Sequence, residues 1–294
     1  MLPLPEAAPG TPTEAAFDLV STLIGPQPTP HASDALLNRV PSQESLARAR
    51  AALAQLRRLP SSEDPAQCFS IRAAELILLS GTADHAAAAG AADALRALIP
   101  ALPVAQQMNR IDEIRRLLGL AIDAYINDCR LDDAEDALDE RGPGPDETSA
   151  RHALGTRAFI LAMRGDEAGA EAILDAARAA SSDDTIRPRE HLARAAALLD
   201  RDSPAETVEM LCDFTTAHPA SLEWPYAALL AARAFTATDP VTGMEHLRRL
   251  MHDNRNVPIS ARLRNLMRAA LADLALSADD VPAAQRMTSP RRSG

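Results

Sequence analysis

Apolar positions along this chain recur every three or four residues, the spacing that keeps one stripe of an α-helix out of water. The pattern predicts helices near 33–40, 42–59, 65–80, 82–99, 103–128, 131–141, 146–164, 166–180, 186–201, 203–217, 220–237, 240–253, 257–276 and 279–288. Start signals fall where the pattern renews. Asp166–Glu167 open a helix just after Gly165, Ser203–Pro204 open another with proline in the first turn, and Asp132–Asp133 sit at the positive end of a helix dipole. Pro219 and Pro258 interrupt the pattern at connections, and the connections are short enough that successive helices are expected to run antiparallel. Prolines crowd 3–12 and 25–30, which excludes regular helix there. The expected organisation is a Pro-rich arm and linker over 1–30, an irregular helical cap over 31–102, a repeat array over 103–290 and a disordered tail at 291–294.

A longer period overlies the helical one. Turn residues between paired helices are expected at Gly81, Cys129, Gly165, Asp202, Thr238 and Ser277, the last five 36, 37, 36 and 39 residues apart. Five residues beyond each turn stands a small or short side chain, Ala134, Ala170, Thr207 and Gly243, with Pro282 the exception. Four further on come Leu138, Leu174, Leu211 and Leu247. Seven before the turn alanine recurs at Ala74, Ala158, Ala195, Ala231 and Ala270, with Ile122 the exception.

These positions resemble the tetratricopeptide repeat. The best unit runs from Leu154 to Ala179, with Leu154 and Leu161 as large first-helix residues, Ala158 at the helix crossing, Gly165 at the turn, Ala170 and Ala177 at small contacts and Leu174 at the large one. The unit before it has Leu118, Tyr125, Ala134 and Leu138 in the same roles. The resemblance departs from the family in its longer repeats, the missing first-helix aromatic and Pro282. Degenerate units of this length are similar to the helical arms of bacterial transcription regulators of the maltose-regulator type and of actinobacterial antibiotic regulators. It implies an all-α fold, an α-solenoid of antiparallel helix pairs in a right-handed superhelix, because one helix pair cannot bury its apolar face alone.

Composition agrees with an all-α class: 47% of residues are hydrophobic but only 3% aromatic, and alanine, the best helix former, dominates. All 30 basic residues are arginine, so neither a Schiff-base lysine nor a phosphate-loop lysine exists. The net charge of −11 argues against general nucleic-acid binding. The exception is the arginine-rich end, where Arg248, Arg249, Arg255, Arg262, Arg264, Arg268, Arg286, Arg291 and Arg292 outnumber nearby carboxylates and could meet an acidic partner. Cys68, Cys129 and Cys212 form no closely spaced pair, which fits a reducing, cytoplasmic setting. The first residues carry no secretion signal, and no apolar run is long enough for a membrane span.

Catalytic chemistry has no carrier in the sequence. The seven histidines keep no metal-ligand spacing, no nucleophile elbow or Gly-rich phosphate loop occurs, and the acidic run from Asp128 to Glu140 lacks the glycine and alternation of a calcium loop. No enzyme, no metal and no cofactor is expected.

What the repeat resemblance does imply is a concave groove lined by the first helix of each pair. Carried over unit by unit, its residues are Arg116, Asp123 and Asn127, then His152, Phe159 and Met163, then Arg189 and Asp200, then Phe235, and finally Arg264. Charged and polar side chains beside two aromatics suit a protein or peptide partner, or a small polar ligand. Trp224 and Tyr226, at a helix start nearby, are expected to pack against the preceding repeat. The expected function is a non-catalytic scaffold or adaptor; the alternative is a ligand-sensing solenoid of a bacterial transcription regulator, stand-alone or truncated.

Overall fold

Among the described residues, helical periodicity translates into helices. The computed structural model describes residues 63–82, 84–179, 187–217, 223–255, 259 and 261–288, with isolated positions at 47, 51, 53 and 54. The Pro-rich arm, the helix expected at 33–40, nearly all of the one at 42–59 and the tail at 291–294 lie outside them. Among the described residues there is no strand.

The chain divides into two units, 1–142 and 143–294, a boundary that falls inside the stretch expected as one array. The first holds α1 (Pro65–Thr82), α2 (His85–Leu98), a short 3-10 turn (Ile99–Ala101), α3 (Val104–Asn109), α4 (Ile111–Asn127) and α5 (Leu131–Arg141). Here α1 packs on α2, both touch α4, and α5 packs on α4. The alanine-rich stretch after His85 is α2, whose Ala88, Ala89 and Ala92 are completely buried, so their small size is what lets the neighbouring helices come close.

Periodicity alone reads 103–128 as one helix, but the structure breaks it at Arg110, where φ is −107° and ψ 14°. The cause is tertiary. Arg110 lays its guanidinium over the Phe69 ring, 5.6 Å from the centroid, and donates to the Ser70 hydroxyl at 3.3 Å, tying the break to α1.

The second unit holds α6 (Glu147–Arg164), α7 (Glu167–Ala179), α8 (Pro188–Asp200), α9 (Pro204–Ala217), α10 (Trp224–Ala237), α11 (Pro240–Asp253), α12 (Ala261–Ser277) and α13 (Val281–Thr288). Each helix packs on the next in sequence, and α6 also touches α8, α8 touches α10 and α10 touches α12.

One turn is built four times. Cys129, Gly165, Asp202 and Asp279 all take left-handed backbone angles, with φ of 57°, 84°, 60° and 58°. In each, the turn residue's N–H reaches three carbonyls back and the following N–H reaches five back, as in Asp166 to the Leu161 carbonyl at 2.9 Å and Asp280 to the Ala275 carbonyl at 2.8 Å. This double bond pattern satisfies the last carbonyls of the first helix and turns the chain at once. The residue after the turn then caps the second helix: the carboxylates of Asp166 and Asp280 accept the N–H of Gly169 and Ala283, each at 3.0 Å. Thr238 departs, staying right-handed, but Asp239 still caps α11 through the Thr242 N–H at 3.1 Å.

Left-handed geometry at Asp279 moves the last turn two residues beyond its expected place at Ser277. The register then closes: the residue five further on is Ala284 and the one seven before is Ala272, both buried, in place of Pro282 and Ala270. Ala134, Ala170 and Thr207 have no exposed surface, and Leu138, Leu174, Leu211 and Leu247 are buried behind them. Gly243 shows why the position is small: a Cβ there would meet the Phe235 Cβ at 2.5 Å and the Leu274 Cδ2 at 2.9 Å.

Replacing Gly165 by alanine should lower stability by about 1 kcal/mol, because a Cβ strains left-handed backbone. Asp202→Gly should raise it by up to about 1 kcal/mol for the converse reason. Denaturant titrations of the two variants against the parent chain check both signs.

Candidate functional site

Charged side chains between helices are organised around arginine in this fold. In the first unit, Tyr125 is completely buried on α4 and donates to Asp93 Oδ1 on α2 at 2.7 Å. Arg130 grips the same carboxylate with two nitrogens, at 2.9 and 3.0 Å, and holds Asp133 at 2.7 Å. Arg96 binds Glu140 through two nitrogens at 2.6 and 3.0 Å. The guanidiniums of Arg96 and Arg130 lie 5.6 and 4.8 Å from the Tyr125 ring centroid, so one ring is shared by two cations. Burial pushes the Tyr125 hydroxyl up to about 12. Burial also works against ionised Asp93, yet the hydrogen bonds from Arg130 and Tyr125 outweigh it and hold the carboxyl below its usual range.

In the second unit the corresponding groups link α6, α8 and the start of α10. Arg151 and Glu190 form a two-pronged pair at 2.9 and 3.0 Å, with side chains only 5% and 2% exposed. The residue just before Glu190, Arg189, donates to Glu223 at 2.9 Å and to the Thr156 hydroxyl at 3.1 Å. Partners lie 33 to 39 positions apart, about one repeat.

The residues expected to line a groove divide between these units. On α4, Arg116 is exposed while Asp123 and Asn127 are half-buried, and the Asn127 amide donates to the Asp123 carbonyl at 2.8 Å. In the second unit His152 and Asp200 are exposed and Met163 is half-buried. Arg189 is buried in its ion pair. Phe159 is completely buried and packs edge-on against Tyr226, with centroids 5.1 Å apart; Phe235 is buried beside His246 at 5.6 Å. These two rings therefore fill the interior. In a chain with so few aromatics, each ring occupies space that alanine-rich helices leave between them.

Arg264 belongs to a different feature. With Trp224, Met251, Asn254, Arg255 and Ile259 it lines a cavity of about 160 Å³. Periodicity did not mark most of these positions, because they come from the start of α10, the end of α11 and the residues around 259 rather than from one face. The Arg151–Glu190 pair was missed for a related reason: a charged residue on a buried stripe reads as exposed until its partner one repeat away is considered.

Among the described residues no group of three or more potential metal ligands gathers, and no helix is long and apolar enough to cross a membrane. Comparison with protein-family models, curated proteins and solved structures finds no match to the chain.

Arg151→Ala should destabilise the second unit by about 3–5 kcal/mol, since it leaves Glu190 buried without its partner. Arg151→Met with Glu190→Leu should recover most of that loss, and a double-mutant cycle by chemical denaturation measures the coupling. A pH dependence follows from two histidines. Burial is the main cause holding both His191 and His246 below the ordinary histidine range, while the bond between His191 Nε2 and the Met210 carbonyl, at 2.8 Å, opposes it only in part. Depressed folded values mean stability that is full above about pH 6.5 and lost as pH falls through them. The melting temperature should drop between pH 7.5 and about pH 5, and His191→Gln should flatten part of that drop in thermal scans.

Proposed function

We propose that this chain is a non-catalytic binding module, a tetratricopeptide-like α-solenoid of antiparallel helix pairs that acts in the cytoplasm as a scaffold or adaptor. Its concave groove would engage a protein or peptide partner. The observation that carries this reading is the fourfold recurrence of one turn, at Cys129, Gly165, Asp202 and Asp279, with a buried small residue five positions on. A stack of such pairs has no reacting centre; what it offers is a long surface of exposed side chains held at regular spacing.

Burial selects which of the expected groove residues can make contact. His152, Asp200 and Arg264 are exposed and can meet a partner, whereas Phe159 and Phe235 hold the helices together. A peptide bound here would be recognised by polar and charged contacts over a half-buried Met163. The second reading, a ligand-sensing solenoid of the kind that bacterial transcription regulators carry, is favoured by one observation, the cavity beside Trp224.

Affinity capture from the native host with the full chain should return a defined partner. Its recovery should fall with His152→Ala combined with Asp200→Arg, while helicity and melting temperature stay unchanged. A partner retained undiminished by that variant would remove the groove reading, as would repeated captures without a reproducible partner.

A further inference from the structure

The cavity of about 160 Å³ in the second unit has a lining of uneven character. Trp224, at the first position of α10, is 6% exposed, and its indole Nε1 is buried without a hydrogen-bond acceptor among the described residues. Met251 and Ile259 are half-buried, while Arg255 and Arg264 are exposed. The Asn254 side chain spends one N–H on the Leu250 carbonyl at 3.0 Å. Arg255 reaches only His252, and Arg264 reaches the Ile259 carbonyl at 3.3 Å; among the described residues neither has a carboxylate partner.

The inventory is one-sided. The lining offers an indole N–H, an amide N–H and two guanidiniums as donors against one side-chain oxygen, that of the Asn254 amide, and among the described residues it holds no carboxylate. A buried donor left without an acceptor is destabilising, and native proteins leave few of them. Apolar surface from Met251, Ile259 and the Trp224 ring makes up the rest of the wall. The site is partly open to solvent, and its volume of about 160 Å³ gives room for a small molecule rather than a polymer segment.

We propose that this cavity is a binding site for a small organic monocarboxylate of about five carbons, carboxyl carbon included, with a compact apolar body. The carboxylate would meet Arg255, Arg264 and the donors of Asn254 and Trp224, and the hydrocarbon part would lie against Met251 and Ile259. The inference goes beyond groove binding and stands whether or not a protein partner exists, because the described lining residues come from α10, α11, the two residues after α11, position 259 and α12, all in the second unit.

Trp224 is the only tryptophan in the chain, so its fluorescence reports on this cavity alone. The full chain is titrated with 3-methylbutanoate, with 3-methylbutanamide as the uncharged analogue of the same shape and with inorganic phosphate as an anion without an apolar body. The expected result is a saturable change in Trp224 emission with 3-methylbutanoate in the millimolar range, the amide weaker by about tenfold or more as charge-assisted hydrogen bonds require, and no saturable change with phosphate. Arg264→Gln and Arg255→Gln, both at exposed positions, should weaken the carboxylate response and leave the circular dichroism spectrum unchanged. Loss of the fluorescence response is cross-checked by thermal shift in Trp224→Phe, where carboxylate stabilisation should shrink. No saturable response overturns the proposal. So does an amide as effective as the acid, a phosphate as effective as the acid, or a response that survives both arginine substitutions. A captured protein partner together with any of these outcomes sinks the cavity site and leaves the groove reading standing.

Discussion

Everything in this fold depends on how closely the second helix of a pair can approach the first. The left-handed residue at the turn fixes where the second helix starts, and a side chain five positions later then faces the first helix at a distance that admits only a small group. Ala134, Ala170 and Thr207 have no exposed surface, and at Gly243 even a methyl group would collide with Phe235 and Leu274. At four turns the left-handed residue and the small contact go together. After Thr238 the turn stays right-handed and Gly243 still takes the crossing, so the small contact is the constraint common to all five. A larger residue there would push the pair apart whatever the turn. Close approach in turn lets leucines four positions on reach the core, so an alanine-rich sequence with few aromatics still buries an apolar interior within each unit.

An interior built from alanine and leucine is apolar but nearly featureless, and similar helices could slide past one another at little cost. The buried ion pairs supply what the apolar stripe does not. A two-pronged pair such as Arg151–Glu190 forms at one rotation and one axial position of α6 against α8. Arg189, one residue before Glu190, donates both to Thr156 on α6 and to Glu223 at the start of α10, so a single turn of α8 is tied to both neighbours. Buried charge adds little net stability, since desolvation offsets most of the attraction, but a misregistered pair would leave a charge unpaired. In the first unit Tyr125 plays the equivalent part, placed by Asp93 and two guanidiniums.

Helices with strong local signals were legible at their ends: the spans expected at 131–141 and 240–253 are those of Leu131–Arg141 and Pro240–Asp253. The capping Asp239 with Pro240 carries that information locally for the second span, and the first-turn acids Asp132 and Asp133 carry it for the first. The break at Arg110 was not legible, because nothing near it disfavours a helix and its cause lies in Phe69 and Ser70, some forty residues away. The last turn was placed at Ser277 instead of Asp279 because serine and aspartate both suit a turn, and only the backbone distinguishes which takes the left-handed conformation. For the candidate site, repeat position alone put Phe159 and Phe235 among the contact residues, and it had no means of weighing how much volume a ring must fill among alanines. Trp224 and Arg264 were both noticed, but their meeting with Met251, Asn254, Arg255 and Ile259 depends on where separate helix ends converge.

The arginine-only composition acquires a physical meaning from these contacts. Arg96, Arg130 and Arg151 each grip a carboxylate with two nitrogens, and Arg96 and Arg130 also stack their planar groups near the Tyr125 ring. An ammonium can neutralise a carboxylate, but it cannot present a flat fork to one group and a face to another. At these positions lysine would keep the charge and lose the geometry that sets helix register. Exposed residues such as Arg248, Arg262 and Arg268 show no such double grip, so geometry does not demand arginine there. The absence of lysine therefore has two parts: a structural one at a few buried or half-buried arginines that hold helices in place, and a surface part that the packing leaves free. Arg255 and Arg264 fall in the exposed group, yet they stand at a cavity whose described lining is rich in donors and holds no carboxylate. Their positive charge meets no carboxylate among the described residues, and that asymmetry, more than their number, sets them apart from the arginines that the fold has already used.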